Sequence, residues 1–166
     1  ENGYESLTLH KLASKLNVKP ASLYTHIKGI DELYVSLANL ALNQLSVMML
    51  DATKGKKRGD ALRAVSVTYC NYVRQSPEMY QMIMKIPHSN SEELVKAGRM
   101  VKSVLFEILS QYTEDKAKII FYSRYYHSIL HGFVSLDRAG FFNDTISTDA
   151  SLLNIVDNFI EQLERI

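Results

Sequence analysis

Apolar residues recur at intervals of three and four along nearly the whole chain, which is the spacing of amphipathic helices. The first such segment predicts a short helix over 9–16, with Thr8 as its N-cap and Asn17 in the left-handed conformation that often ends a helix. Pro20 suits the first position of a second helix over 20–27. Because the break between them is about three residues long, the pair has the spacing of a helix-turn-helix.

Longer helices are predicted after this pair. Gly29 ends the second helix, and Asp31 opens a third that runs to about Asp51. Further helices are predicted over 60–75, from Pro77 towards Pro87, from a capping box at Ser89 and Glu92 to about 112, from 113–115 to about 138, and from a cap at Thr148 or Asp149 to 166. Since no segment shows the alternation of a strand, the predicted fold class is all-α.

The loop 54–59 is the main change in composition, with two glycines among four basic residues. We therefore place a boundary beside it and divide the chain into a small domain, 1–52, and a larger one, 53–166. The loop does not predict a phosphate site, because it lacks the glycine spacing and the Ser or Thr after the lysine that such loops need.

Composition limits the class of protein. A chain of 166 residues that is 46% apolar can bury a core, and its single cysteine, Cys70, excludes an intrachain disulfide and fits a reducing cytoplasm. The apolar stretch 33–50 is interrupted by polar residues, whereas a membrane span needs about 18 consecutive apolar ones. We expect a soluble, cytoplasmic protein without a membrane partner. Because the chain starts at Glu1 with no apolar leader, we expect no secretion and a truncated start.

The charge is unevenly distributed. The formal net charge is +1, but the segment 8–30 carries four lysines, two histidines and no carboxylate. The remainder of the chain holds 15 basic and 18 acidic residues. A local basic segment of this kind fits a polyanion such as nucleic acid, although four lysines also fit a solvated helix face.

Two segments resemble one family. The run Ser-Leu-Tyr-Thr-His at 22–26, followed by Asp-Glu-Leu at 31–33, resembles the DNA-binding domain of the tetracycline-repressor (TetR) family of transcriptional regulators. The segment 124–142, with His-Gly-Phe at 131–133, resembles the C-terminal regulatory domain of a subgroup named for a Trp-His-Gly motif. Leu130 stands in place of the tryptophan of that subgroup.

The resemblance implies an N-terminal helix-turn-helix domain joined by a long helix to a larger ligand-binding and dimerisation domain. Family members have three helices before the long one, so the first helix is expected to be missing from this chain. The family also tends to carry a phosphate-binding lysine where Ile30 stands, and Lys28 is the expected substitute.

The second helix of a helix-turn-helix enters the major groove of DNA. Lys19, Ser22 and Thr25 point away from its apolar face and are candidates for base edges. The resemblance implies that Tyr24 and His26 bind phosphates, with Lys28 and Thr8 beside them. From the residues alone, Tyr24 could equally be an aromatic core side chain and His26 an ordinary surface histidine.

A dimer is expected because one helix-turn-helix contacts too few groups to be selective. The last helix carries an apolar seam at intervals of four and three, and the resemblance pairs it with the helix over 114–138 in a four-helix bundle. The predicted interface residues are Leu152, Val156, Phe159 and Leu163. The alternative is a buried central helix in a monomer.

The middle of the chain is rich in methionine and tyrosine, which suit an apolar pocket with a few hydrogen-bonding groups. The resemblance places a small-molecule inducer there, and ordinary core packing is the alternative. The predicted ligand residues are Tyr69, Tyr72, Met79, Tyr80, Ile83, Tyr122, Tyr126 and His127. His127 and His131 are four residues apart, but with no third ligand evident we expect no metal and no cofactor.

The leading hypothesis is a ligand-responsive repressor that acts as a homodimer on a palindromic operator in double-stranded DNA. A ligand-binding or scaffolding module without DNA binding is the first alternative. A small helical enzyme using His127, His131 and tyrosine hydroxyls is the second. Because no catalytic nucleophile, paired carboxylate site or cofactor loop is evident, we expect no enzyme.

Overall fold

The computed structural model describes residues 7–84 and 91–166, and within them all regular structure is helical. This confirms the all-α prediction. The helices are α1 (Leu9–Lys15), α2 (Pro20–Tyr24), α3 (Ile30–Ala52), α4 (Arg58–Gln75), α5 (Pro77–Met84), α6 (Glu92–Leu109), α7 (Lys116–Arg138) and α8 (Thr148–Leu163).

Helices α1 and α2 form a small unit at the start of the chain. Thr8 caps α1 as predicted, its hydroxyl accepting the Lys11 amide at 3.2 Å, and Asn17 takes the left-handed conformation with φ 54°. Helix α2 is shorter than the predicted 20–27 and ends at Tyr24. The physical reason is local: the Thr25 hydroxyl donates to the Ser22 carbonyl at 2.7 Å, so this oxygen already has a side-chain partner where the helix ends.

Helix α3 begins with a carboxylate cap and ends in the core of the larger part of the chain. Its first turn carries Asp31 and Glu32, and the Glu32 carboxylate accepts the Lys28 amide at 2.5 Å. Further along, one face of α3 is buried against α4, α5 and α6. The helix therefore belongs to the core at one end and leads to the small unit at the other.

Among the described residues, α3 is the one helix long and apolar enough to cross a membrane, with mean hydropathy 1.4. From the sequence, such a segment was not expected, because polar residues interrupt it, but the mean hydropathy of the helix is high. In this fold 33% of the segment is buried. Its buried side chains pack on neighbouring helices, as those of a core helix do.

Helices α3 to α8 surround one hydrophobic core, with α4 in contact with each of the others. Tyr126 and Phe159 are the largest fully buried side chains, each 1% exposed. Gly59 lets α4 approach α8 closely, because an added Cβ would lie 3.0 Å from Ile160 Cγ2.

Several helix ends differ from the sequence expectation. Ser91 caps α6 by accepting the Leu94 amide, and Ser89 and Pro87 lie outside the described residues. Ser147 caps α8 in place of the expected Thr148 or Asp149, because the Ser147 backbone is extended while those two are already helical. Helix boundaries shift in this way where several candidate caps follow one another.

Arg58 joins three distant parts of the chain. Its amide donates to the Gln111 side chain at 2.9 Å, and its guanidinium donates to the Gln111 carbonyl at 2.9 Å and binds the Glu164 carboxylate. The guanidinium also lies 4.1 Å from the centre of the Tyr112 ring. The Arg58 backbone is left-handed, with φ 48°, which costs energy for a residue other than glycine. The sequence predicted only a loop over 54–59 here.

Candidate functional site

The predicted DNA-binding residues all lie exposed on the small unit or in the turn that follows it. Thr8 precedes α1, and Lys19 precedes α2, which contains Ser22 and Tyr24. The remaining candidates lie in the turn between α2 and α3, and they are Thr25, His26 and Lys28. Tyr24 is 52% exposed, so it is not the aromatic core side chain of the alternative reading. The structure thus brings these residues onto one surface segment that contains no carboxylate from residue 8 to residue 30.

The hydrogen bonds within this unit define what each candidate can still offer. The Thr25 hydroxyl already donates to a carbonyl, so only its acceptor positions remain. The Thr8 hydroxyl accepts an amide as a helix cap, which leaves its own proton to donate. The Lys28 amide is bound by Glu32, but its side chain is exposed. Thr8 and Lys28 can therefore donate to phosphate oxygens without breaking an existing contact.

A second cluster lies inside the core, where α4, α5 and α7 meet. The hydroxyls of Tyr69 and Tyr80 lie 3.0 Å and 2.9 Å from Nδ1 of His131. The Tyr80 and His131 rings stack with centres 5.8 Å apart, and the Tyr69 ring meets the imidazole edge to face. Burial, together with the nearby His127, lowers the pKa of His131 to about 4, so the imidazole is neutral at physiological pH.

Four of the predicted ligand residues make hydrogen bonds or ring contacts with residues outside this cluster. The Tyr126 hydroxyl donates to the Leu62 carbonyl at 2.8 Å, and the Tyr72 hydroxyl donates to the Ala41 carbonyl at 3.2 Å. The Tyr122 ring packs against a phenylalanine of α8. His127 hydrogen bonds the carbonyl one turn earlier on its own helix. Met79 and Ile83 are half-buried against the core.

No three His, Cys, Asp or Glu side chains of the described residues lie together as a metal site would require. The imidazoles of His127 and His131 stack with centres 6.1 Å apart. Cys70 is 1% exposed, and burial raises the pKa of its thiol to about 12, as expected for an unreactive core cysteine.

Two clefts open on the described surface, and neither is lined by the predicted ligand residues. One, of about 230 Å³, lies beside the α3–α4 turn between residues such as Thr53 and Glu107. The other, of about 450 Å³, is lined by Val73, Arg74, Pro77, Asp137 and Arg138.

The predicted dimer seam faces inward, which corrects that prediction. Leu152, Val156, Phe159 and Leu163 are at most 2% exposed. They hold α8 against α4 and α7 of the same chain. The reason is that a seam at this spacing is also the core-facing stripe of an ordinary amphipathic helix. Side chains so deeply buried cannot contact a partner subunit.

A different apolar stripe lies on the outer face of α7. Phe121, Tyr125 and Leu136 are 62%, 40% and 43% exposed, and the small residues Ser128 and Gly132 lie between them. These five positions follow intervals of four, three, four and four, so they line one largely exposed face of the helix, at whose edge the Tyr125 ring also meets that of Phe159. Their spacing was visible in the sequence, but the sequence did not show which face was already covered.

Comparisons with known proteins relate this fold to one family. The model of the family described as "Tetracyclin repressor-like, C-terminal domain" matches residues 62–159. The uncharacterized HTH-type transcriptional regulator Rv0681 of Mycobacterium tuberculosis is 28% identical over 164 residues, covering 98% of this chain and 75% of its own length. The uncharacterized HTH-type transcriptional regulator YobS of Bacillus subtilis is 28% identical over 136 residues, covering 82% of this chain and 71% of its own.

Solved structures show the same fold. A protein of unknown function from Rhodococcus sp. RHA1 superposes with TM-score 0.86 at 17% identity, covering 99% of this chain and 88% of that one. The TetR family transcriptional regulator PfmR from Thermus thermophilus superposes with TM-score 0.74 at 18% identity, covering 95% and 86%. Because the family model matches more than half of the chain, and because the exposed helix-turn-helix has the expected form, the chain belongs to the TetR family of DNA-binding transcriptional regulators.

Proposed function

We propose that this regulator is a homodimeric repressor that reads a palindromic operator in the cytoplasm and releases it when a small molecule binds. The observation that carries the proposal is the exposed segment 8–30, which has four lysines and no carboxylate of its own. On this view 1–52 is the DNA-binding domain with its connecting helix, and 53–166 holds the ligand-binding and dimerisation functions. Such a protein controls transcription by binding rather than by catalysis.

Direct contacts with bases are proposed at the start of α2. Lys19 immediately precedes the helix and has no capping role for its side chain, so its ammonium group is free to reach guanine acceptors. Ser22 and Thr25 lie further along the exposed side. Because α2 has only five residues, few side chains can reach base edges, and sequence preference rests mainly on Lys19 and Ser22.

Contacts with phosphates are proposed on both sides of α2. The exposed hydroxyl of Tyr24 and the imidazole of His26 follow the reading residues, and Lys28 comes next. Thr8 lies at the amino-terminal end of α1, where backbone amides also favour anions. These contacts fix the register of the protein on DNA without reading the sequence.

The test measures binding of the full-length protein to a duplex selected from a random pool and to unrelated duplexes, over a range of salt concentrations. Tyr24→Phe is expected to weaken binding to all duplexes, whereas Lys19→Ala changes the preference among them. Lys96→Ala, at an exposed lysine of α6, serves as the matched control. Equal binding of selected and unrelated DNA would instead favour a ligand-binding or scaffolding module.

We propose that the dimer forms through the outer stripe of α7. The two copies of α7 would cross near Ser128 and Gly132, where small side chains let the helices approach closely, and the aromatic and aliphatic residues would pack on either side. Such a self-complementary patch suits two-fold symmetry. Exposed apolar side chains at Leu153 and Ile155, each 37% exposed, would extend the interface onto α8.

The dimer proposal is tested by sedimentation equilibrium. Gly132→Arg is expected to produce monomers, because a long charged side chain would enter the crossing point. Val47→Arg, at a position on α3 that is 64% exposed, is the matched control and should leave the dimer intact. If both variants remain dimeric, the interface lies elsewhere on the surface.

We propose that the inducer enters where α4, α5 and α7 meet. Tyr69, Tyr80 and His131 supply polar groups inside an otherwise apolar region, which is the usual composition of a small-molecule site. Met79 and Ile83 lie on α5 with Tyr80, and the flexible side chain of Met79 can adapt to ligands of different shapes. A compound that lowers operator affinity of the wild-type protein but not of a Met79→Trp variant would support this location.

A further inference from the structure

A small cleft lies where the α3–α4 turn passes the end of α6, and none of its lining residues belongs to the cluster around His131. Its buried lining consists of Ala61, Val104 and Ile108, which are 1%, 3% and 4% exposed, and Leu50 of α3 lines it as well. Its volume of about 230 Å³ lies below the roughly 300–1,000 Å³ of sites that take drug-sized molecules. The cleft therefore suits one small molecule with an apolar body.

The rim of this cleft carries two opposite charges that do not bind each other. Lys56 and Glu107 both line the cleft and are exposed, and neither side chain forms a hydrogen bond or an ion pair with any described residue. Lys54, the other lysine of the cleft, instead binds Asp51 at 2.6 Å. This bond lowers the pKa of the Asp51 carboxyl, with a smaller contribution from Lys56. One ammonium and one carboxylate are thus left at the rim for a ligand.

A third polar group at the rim is oriented by Arg58. The Arg58 amide donates to Oε1 of Gln111 at 2.9 Å, and the Arg58 guanidinium donates to the Gln111 backbone carbonyl at 2.9 Å. Because the carboxamide oxygen is occupied, the Nε2 amino group, which has no partner among the described residues, is the donor left for a ligand. The costly left-handed backbone of Arg58 thereby holds a hydrogen-bond donor at the rim of the cleft.

A molecule with a single charge would meet a like charge at this rim. Lys56 attracts an anion that Glu107 repels, and the reverse holds for a cation. A zwitterion satisfies both side chains, because its carboxylate accepts from Lys56 and from Nε2 of Gln111 while its ammonium donates to Glu107. An apolar group on the same molecule would cover the apolar lining of the cleft.

We propose that this cleft binds a free aliphatic α-amino acid, whose carboxylate contacts Lys56 and Gln111, whose ammonium contacts Glu107, and whose side chain packs on Val104 and Ile108. The site is separate from the proposed inducer site. Its occupancy depends on neither the operator nor the dimer.

The experiment is isothermal titration calorimetry of the full chain with L-leucine and two analogues. Leucinamide lacks the carboxylate, and 4-methylpentanoate lacks the ammonium. At about pH 6.5 the amino groups, with pKa values near 8, remain charged. Wild type is expected to bind L-leucine about fivefold more tightly than either analogue, which is the contribution of one exposed charge pair. If neither L-leucine nor L-methionine binds at millimolar concentrations, the proposal is overturned.

Two substitutions at exposed positions assign the two charges separately. Glu107→Gln should abolish the preference for L-leucine over 4-methylpentanoate and keep the preference over leucinamide, whereas Lys56→Gln should do the opposite. Lys57→Gln, at the next lysine of the same loop, is the matched control, because Lys57 is exposed but does not line the cleft. It should keep both preferences. If Glu107→Gln and Lys56→Gln weaken all three ligands alike, the assignment of the two charges is wrong.

Met79→Trp separates this cleft from the proposed inducer site. Binding of L-leucine should be unchanged in this variant, because Met79 lies on α5 and does not line the cleft. A loss of binding would place the amino acid at the inducer site and would overturn the proposal. If the wild-type protein binds no duplex selectively, the proposed function fails, whereas the calorimetry still decides whether the cleft takes an amino acid.

Discussion

Acidification is expected to destabilise the folded chain through His131. In the unfolded chain this histidine takes up a proton below its ordinary pKa of 6.5, whereas in the folded chain burial and the nearby His127 lower its pKa to about 4. Between these values the unfolded state binds more protons than the folded state. Stability is therefore complete above the unfolded pKa and declines as the pH falls towards the folded one.

The size of the effect follows from the two pKa values. Each pKa unit corresponds to about 1.4 kcal/mol, and at about pH 5 roughly one and a half units are realised, or about 2 kcal/mol. His131 is half-buried rather than fully enclosed, so solvent screening reduces the expected loss to about 1 kcal/mol.

The assay is urea unfolding at about pH 7.5 and about pH 5, with wild type beside His131→Gln. Glutamine keeps a polar group near the tyrosines but does not titrate, so the variant should lose about 1 kcal/mol less on acidification than wild type. His26→Gln, at an exposed histidine, is the control and should behave like wild type. Equal losses of stability in wild type and His131→Gln would show that His131 takes up no proton on unfolding, and therefore that the fold does not lower its pKa.

Three further predictions concern stability measured by urea midpoints. Arg58→Ala should cost about 1 kcal/mol more than Arg58→Gly, because both lose the same contacts but only alanine opposes the left-handed backbone; equal costs would exclude strain there. Gly59→Ala should destabilise wild type more than an Ile160→Ala background, since the contact at 3.0 Å is then gone. Ser147→Ala should cost about 1 kcal/mol, and Ser147→Thr, which keeps a capping oxygen, less than half of that; equal costs would show that the hydroxyl is not the cap.

The helices and the turn between α1 and α2 could be predicted from the sequence because both depend on local signals. Thr8 and Asn17 act through neighbouring backbone atoms, and the structure places both as expected. The motif around Tyr24 lies on a short exposed segment whose residues keep their order on the surface. For such features three to five neighbouring residues carry the information.

Features that depend on distant residues could not be predicted in this way. Arg58 binds Glu164, which lies 106 positions away, so its role was invisible in a loop of glycines and lysines. The tyrosines and His131 were noted as residue types, but only packing shows that two hydroxyls reach the imidazole nitrogens of His131. For α8, the seam containing Val156 had the correct period, and the error lay in which neighbour covers it.

The unbroken length of α3 has a mechanical consequence. Its 23 residues span about 34 Å at a rise of 1.5 Å per residue. A rotation of only about 5° around its core end would move its other end by roughly 3 Å, comparable to the length of one hydrogen bond. In a symmetric pair both arms would swing, so the distance between the two reading helices would change by about twice that. In the proposed homodimer, helix α3 would therefore act as a lever that amplifies small rearrangements at its core end into a mismatch with the spacing of DNA grooves.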